Sequence, residues 1–229
     1  ARLAAVAVIA VLATFAVAVV LAPDKSQVEL QMEAAAPVVD DAAAAPAPAA
    51  LDLELDLGED GLPLGEEISA YGDSMLYVAS PALQADFPGI AIDATSNRQW
   101  PDVADAVAAA VDAGTVRDVV VVVAGTNAGL GDAEPLERTL ALLGDERLVV
   151  LVDIYHSSRW VPESNETLRQ VAAEHPNVVV ADWSGTITQH PDQLQPDGVH
   201  PDMDGMYLFS DVVATALAEG VELVEAAAG

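Results

Sequence analysis

The chain has 229 residues, 52% hydrophobic but only 4% aromatic, and a formal net charge of −29 from 37 acidic against 8 basic side chains. That length suits one domain of about 150–200 residues with extensions, and the charge argues against phosphate backbones, so nucleic acid is not an expected partner. Without cysteine there is no disulfide, no thiolate nucleophile and no thiolate metal site.

Residues 3–22, "LAAVAVIAVLATFAVAVVLA", carry no charge. Twenty residues at a helical rise span about 30 Å, the thickness of a bilayer's hydrocarbon core. A signal peptide has a shorter apolar region, and Ala22–Pro23 is a poor cleavage junction. Residues 1–22 are therefore expected to form a transmembrane helix. Arg2 before it and Asp24 after it place the following chain outside the cytoplasm. The chain opens on Ala rather than Met, so further membrane protein is expected upstream.

Residues 23–67 read as a linker. "EAAAPVVDDAAAAPAPAA" is Ala/Pro low complexity, and "LDLELDLGEDGLPLGEE" is acidic with few large side chains. Neither buries enough apolar surface to fold alone, so disorder is expected, with the stretch acting as a tether.

From 68 to 229 the pattern becomes globular. "ISAYG", "IAIDA", "VRDVVVVVAG", "RLVVLVDIY" and "NVVVADW" read as strands, and Val119–Val123 is apolar throughout, as in a central parallel strand covered on both faces. Helices are expected at about 75–86, 101–114, 133–143, 163–175 and 203–219, the last with Met203, Met206, Tyr207, Val213 and Leu217 on one face. This alternation implies a three-layer α/β domain with a five-stranded parallel sheet.

Ligands of open α/β sheets bind beyond the C-terminal strand ends. Those ends carry Gly72-Asp73-Ser74, Ser96-Asn97-Arg98-Gln99 and Gly125-Thr126-Asn127, and the turn before the last helix carries Asp197-Gly198-Val199-His200. A carboxylate and an imidazole three residues apart can meet, leaving Nε2 free to act as a base toward a hydroxyl. The alternative is a polar helix entry with Asp202 as cap and His200 merely exposed. His156, His175 and His190 occupy less suitable places. Ser74 alone reads first as an N-cap, but at a helix start its hydroxyl is exposed and its N–H points to where an oxyanion forms. Asn127 alone reads as an Asx-turn residue, or as a side-chain donor to the same oxyanion.

Gly-Asp-Ser, Gly-Thr-Asn and Asp-x-x-His, in that order and each at a strand or loop end, resemble the SGNH (GDSL-type) hydrolase superfamily. That resemblance implies a flavodoxin-like α/β sandwich in which Ser74 is the nucleophile, His200 the general base and Asp197 the residue that orients it. The Ser74 N–H and the Asn127 amide would then be oxyanion donors. "AIDATSNRQW" at 91–100, Trp160 and Asn165 in "WVPESNETL", "VVVADW" and "DGVHPDMDG" narrow the resemblance. They look like the SGNH domains attached to acyltransferase-3-type membrane proteins, including peptidoglycan O-acetyltransferases. In that family the domain lies outside the cell membrane, and a multi-helix membrane domain supplies the acyl group. Asn97 stands where the family usually has glycine; its N–H would be a third oxyanion donor, since Asn tolerates left-handed backbone angles. Asp73, Gln99 and Thr126 are expected beside the substrate, whereas for Arg98 a structural role and a substrate contact are both open.

The resemblance implies a serine-dependent O-acyltransferase acting on a cell-wall or surface glycan, with no cofactor and no metal. A membrane-anchored carbohydrate or lipid esterase is the alternative, and a non-catalytic glycan-binding module the third reading. A nucleotide site is disfavoured, because the chain has no Gly-rich phosphate loop.

Overall fold

The computed structural model describes residues 53–228. The expected transmembrane helix and the linker up to residue 52 lie outside the described residues. Among the described residues no helix is long and apolar enough to cross a membrane.

Five parallel strands, β1 (Ile68–Gly72), β2 (Ala91–Ala94), β3 (Val119–Val123), β4 (Leu148–Val152) and β5 (Val178–Ala181), form one sheet in the order β2-β1-β3-β4-β5. Around it stand α1 (Ser74–Asp86), α2 (Trp100–Asp112), α3 (Glu134–Leu143), α4 (Val161–Ala173), α5 (Trp183–Gln189) and α6 (Met203–Ala228). This is the flavodoxin-like order, whose switch point between β1 and β3 opens a crevice at the strand ends.

Alternation along each strand divides the core between the two faces. Val119, Val121 and Val123 pack with Leu76, Leu83, Phe209 and Leu217 of α1 and α6. Val120 and Val122 pack with Trp100, Leu136 and Leu168 of α2, α3 and α4. All five residues of β3 are buried, as a doubly covered strand requires.

Three features depart from the expectations. Residues 53–67 are ordered: Leu57 and Pro63 form an antiparallel bridge, Gly65–Glu67 is a 3₁₀ turn, and Leu53, Leu55 and Leu62 pack against the core. Alternating Leu with acid puts the leucines on one side of an extended chain, so a segment with no core of its own is held by a neighbouring surface. The folded part therefore begins upstream of residue 68. Helix α5 is unassigned in the sequence because "WSGTITQ" has poor helix propensity; the Asp182 carboxylate caps it by accepting the Gly185 N–H at 2.9 Å. Finally, α6 buries Phe209, Val213, Ala216 and Leu217, while Met203 and Tyr207 face outward. At 100° per residue the buried stripe is centred away from the first turn.

Candidate active site

The site is assembled from three strand ends and the turn before α6. Asp73, not Ser74, is the N-cap of α1: its Oδ1 accepts the Met75 N–H at 2.9 Å. Ser74 is thus the first helical residue, and its hydroxyl is free for another partner. That partner is His200, whose Nε2 lies 2.9 Å from Ser74 Oγ. On the other side of the ring, His200 Nδ1 lies 2.7 Å from Asp197 Oδ2. Asp197 Oδ1 also accepts the N–H groups of Val199 at 2.9 Å and His200 at 3.0 Å, so this carboxylate holds both the turn and the ring. Gly198 completes the turn with φ of 68°. Asp202 does cap α6, accepting from Asp204 and Gly205, but His200 is not merely exposed beside it.

The hydrogen bond from His200, followed by those from the backbone, lowers the Asp197 pKa to about 2. Asp197 therefore stays anionic near neutral pH and accepts the Nδ1 proton. That leaves Nε2 with a lone pair directed at Ser74, the arrangement needed to take a proton from the hydroxyl.

The three loops at the crevice are tied together. Buried Asp73 Oδ2 accepts the Thr126 N–H at 3.2 Å, linking the Ser74 helix start to the loop that carries Asn127. Burial raises the Asp73 pKa against the opposing pull of its backbone and Thr126 donors. The Thr95 N–H donates to the Gly72 carbonyl at 3.1 Å, bringing in the loop after β2. Asn127 Nδ2 makes a long 3.4 Å contact to the Arg98 carbonyl, and its side chain is otherwise open to solvent. A Cβ on Gly72 would stand 2.4 Å from the Val123 carbonyl, so glycine is what allows β1 and β3 to close together here.

Asn97 has φ of 63°, the only positive φ among non-glycine residues described. It adopts the left-handed conformation expected at this position, and the N–H groups of Ser74 and Asn97 have no acceptor among the described residues. With the Asn127 amide, these are three donors on loops bordering one crevice. Such an array suits a negative charge developing on a carbonyl oxygen.

Arg98, and the Gln99 and Thr126 expected beside the substrate, are engaged by the protein itself. The Arg98 guanidinium donates to the Asp93 carboxylate and carbonyl, each at 2.8 Å, and to Thr95 and the Gly72 carbonyl, so it braces the loop after β2. Gln99 caps α2 in a capping box with Asp102 and donates to the Asn97 carbonyl at 3.0 Å, supporting the left-handed residue. Thr126 is buried against Asp73. These residues brace the site from behind through bonds within the protein.

Two features of this rim were not singled out as site elements from the sequence. Asp153, at the end of β4, accepts from Arg169 and from the Ser184 N–H, both at 2.7 Å, and so anchors the start of α5. Its burial outweighs the nearby guanidinium and raises its pKa to about 6. Beyond it, His156 and Trp160 stack with ring centroids 5.6 Å apart.

No family model matches the chain. Over 152 residues it is 27% identical to the candidate peptidoglycan O-acetyltransferase YrhL of Bacillus subtilis (strain 168), covering 66% of this chain and 24% of the other. The match thus spans about a quarter of that relative's length. Among solved structures, the C-terminal catalytic domain of Streptococcus pneumoniae peptidoglycan O-acetyltransferase A is similar at TM-score 0.62 and 22% identity, covering 71% of this chain and 97% of that one. A lipolytic G-D-S-L family protein from Veillonella parvula has TM-score 0.53 and 18% identity, covering 64% and 94%. A family 3 carbohydrate esterase from Talaromyces cellulolyticus gives the same score and identity, covering 68% and 97%. The chain thus shares its fold with these proteins, and its motifs at the strand ends resemble those of the SGNH (GDSL-type) hydrolases.

Proposed function

We propose that the chain is a serine-dependent O-acyltransferase that moves an acetyl group onto a cell-wall or surface glycan. The observation that carries this reading is the continuous chain Ser74 Oγ–His200 Nε2, 2.9 Å, and His200 Nδ1–Asp197 Oδ2, 2.7 Å. His200 takes the Ser74 proton as Oγ bonds to the acyl carbon of an ester donor. The tetrahedral oxyanion rests against the Ser74 and Asn97 N–H groups and the Asn127 amide. His200 then protonates the departing alcohol, leaving an acyl-enzyme. A glycan hydroxyl next gives its proton to His200 and attacks the acyl carbon; Ser74 leaves and recovers that proton. The likeness to two proteins named for peptidoglycan O-acetylation supports the transfer and the acceptor class.

A carbohydrate esterase is the second reading, favoured by the partial exposure of Ser74, which lets water compete for the acyl-enzyme. The apolar run 3–22 supports a location at the outer face of the cell membrane. The test is to incubate the full chain with an activated acetyl ester, with and without a glycan acceptor. Acetylated glycan supports transfer, acetate alone supports the esterase, and absence of an acetyl-Ser74 species on mass analysis in both arms sinks both.

A further inference from the structure

Five large apolar side chains are exposed among the described residues, and three of them stand in the first turns of the two helices that follow Ser74 and His200. Tyr77 is 61% exposed, Met203 69% and Tyr207 48%. Tyr77 lies one turn after Ser74 on α1, and residues three apart on a helix are neighbours on one face. Met203 and Tyr207 share a face of α6, which begins three residues after His200. Helices α1 and α6 pack against each other, and each begins at or just after a residue of the Ser74–His200 pair, so the three exposed side chains stand on neighbouring helices at the site end. The other two exposed leucines, Leu57 and Leu64, belong to the segment leading into β1 at the opposite end of the sheet.

We infer that Tyr77 and Tyr207, with Met203 between the base and the second ring, form a platform on which a neutral pyranose of the acceptor stacks beside Ser74. This rests on the acyltransferase reading above and names how the acceptor is held. An aromatic ring with a polar tip matches a sugar, whose C–H face is apolar and whose rim is hydroxylated. The surroundings add hydrogen-bond acceptors rather than cations. Asp204 is exposed next to Met203, and Pro81 has no N–H to give the Tyr77 carbonyl four residues before it. With a net charge of −29, the surface repels an anionic membrane or an acidic polymer and tolerates a neutral glycan. Moreover, a cavity of about 500 Å³ is lined by the segment before β1 and the end of α1, among them Leu62, Leu64, Phe87 and Pro88, and Ser74 is not part of its lining. A chain laid across an open platform fits that layout better than an enclosed small molecule.

The test uses the full chain carrying Ser74→Ala, so that binding is measured without turnover. A β-1,4-linked N-acetylglucosamine tetrasaccharide is titrated by calorimetry. Adding Tyr77→Ala and Tyr207→Ala should weaken binding about tenfold or more, whereas Tyr77→Phe and Tyr207→Phe, which keep the ring faces, should stay within about twofold. Unchanged affinity in the double alanine variant overturns the platform, as does absence of tetrasaccharide binding before the rings are removed. Ring-dependent binding to phosphatidylcholine vesicles with none to the tetrasaccharide assigns the surface to lipid and also overturns it. Should the unmodified chain transfer no acetyl group while ring-dependent binding persists, the transferase reading falls and the platform stands. Transfer with an acceptor affinity indifferent to the rings gives the reverse.

Discussion

Ser74 Oγ and His200 Nε2, 126 residues apart in the chain, lie within 2.9 Å because β1 and the turn before α6 end at the same side of the sheet. Asp197 then sets the direction of the ring, accepting at 2.7 Å from Nδ1. Ser74→Ala or His200→Ala should lower acetyl transfer and ester cleavage by at least about 10³-fold, and Asp197→Asn by about 10⁴-fold through loss of the correct tautomer. Steady-state kinetics on an activated acetyl ester checks this. A fall under tenfold for Ser74→Ala would remove it as nucleophile.

Asn127 presents its amide from a loop clamped to Asp73 through the Thr126 N–H. Asn127→Ala should reduce kcat about 10²–10³-fold with little change in KM, the signature of a donor used only in the transition state. Asn97→Val places a β-branched residue at φ of 63° and should cost about 1–2 kcal/mol in urea unfolding as well as activity.

Asp73 does two mechanical tasks, capping α1 and joining it to the loop after β3. Asp73→Ala leaves the Met75 and Thr126 N–H groups without that acceptor and should destabilise the domain by about 2–4 kcal/mol. The loss is read as a lower urea midpoint at unchanged slope. Because the carboxylate sits behind Ser74, kcat should fall while the binding of a neutral glycan stays measurable.

Asp153 makes stability depend on pH in a predictable direction. Its folded pKa of about 6 stands above the unfolded carboxylate value, so the folded state holds this proton more tightly. Its contribution is present below about pH 4 and is lost as pH rises through about 6. On going from pH 5 to pH 7.5, the native protein should lose about 1 kcal/mol more than Asp153→Asn does. Urea unfolding of both proteins at the two pH values measures it, and repulsion among the other carboxylates is common to both. Equal losses would show that Asp153 does not titrate in this range.

The five strands, five of the six helices described and the three candidate site motifs can be read along the chain because each is a local signal. Val119–Val123 is apolar at every position, and Gly-Asp-Ser and Asp-x-x-His are short-range spacings. Helix α5 was hidden, since its start depends on Asp182 and on a distant acceptor, Asp153. Residues 53–67 read as disordered because their leucines find a surface only on the finished domain.

The division is clearest at the crevice. Residue type and order bring Ser74, Asn127, Asp197 and His200 forward as a set, and the family resemblance they carry assigns their roles and points to a left-handed Asn97. Composition cannot show that Asp73 takes the capping role and frees the Ser74 hydroxyl, that Arg98 donates to Asp93 and Thr95, or that Tyr77 and Tyr207 stay exposed on the two helices that follow the pair. Those facts depend on which groups become neighbours once the sheet closes. A hydrogen bond or a buried face is a property of two surfaces, and the chain carries only one of them at a time.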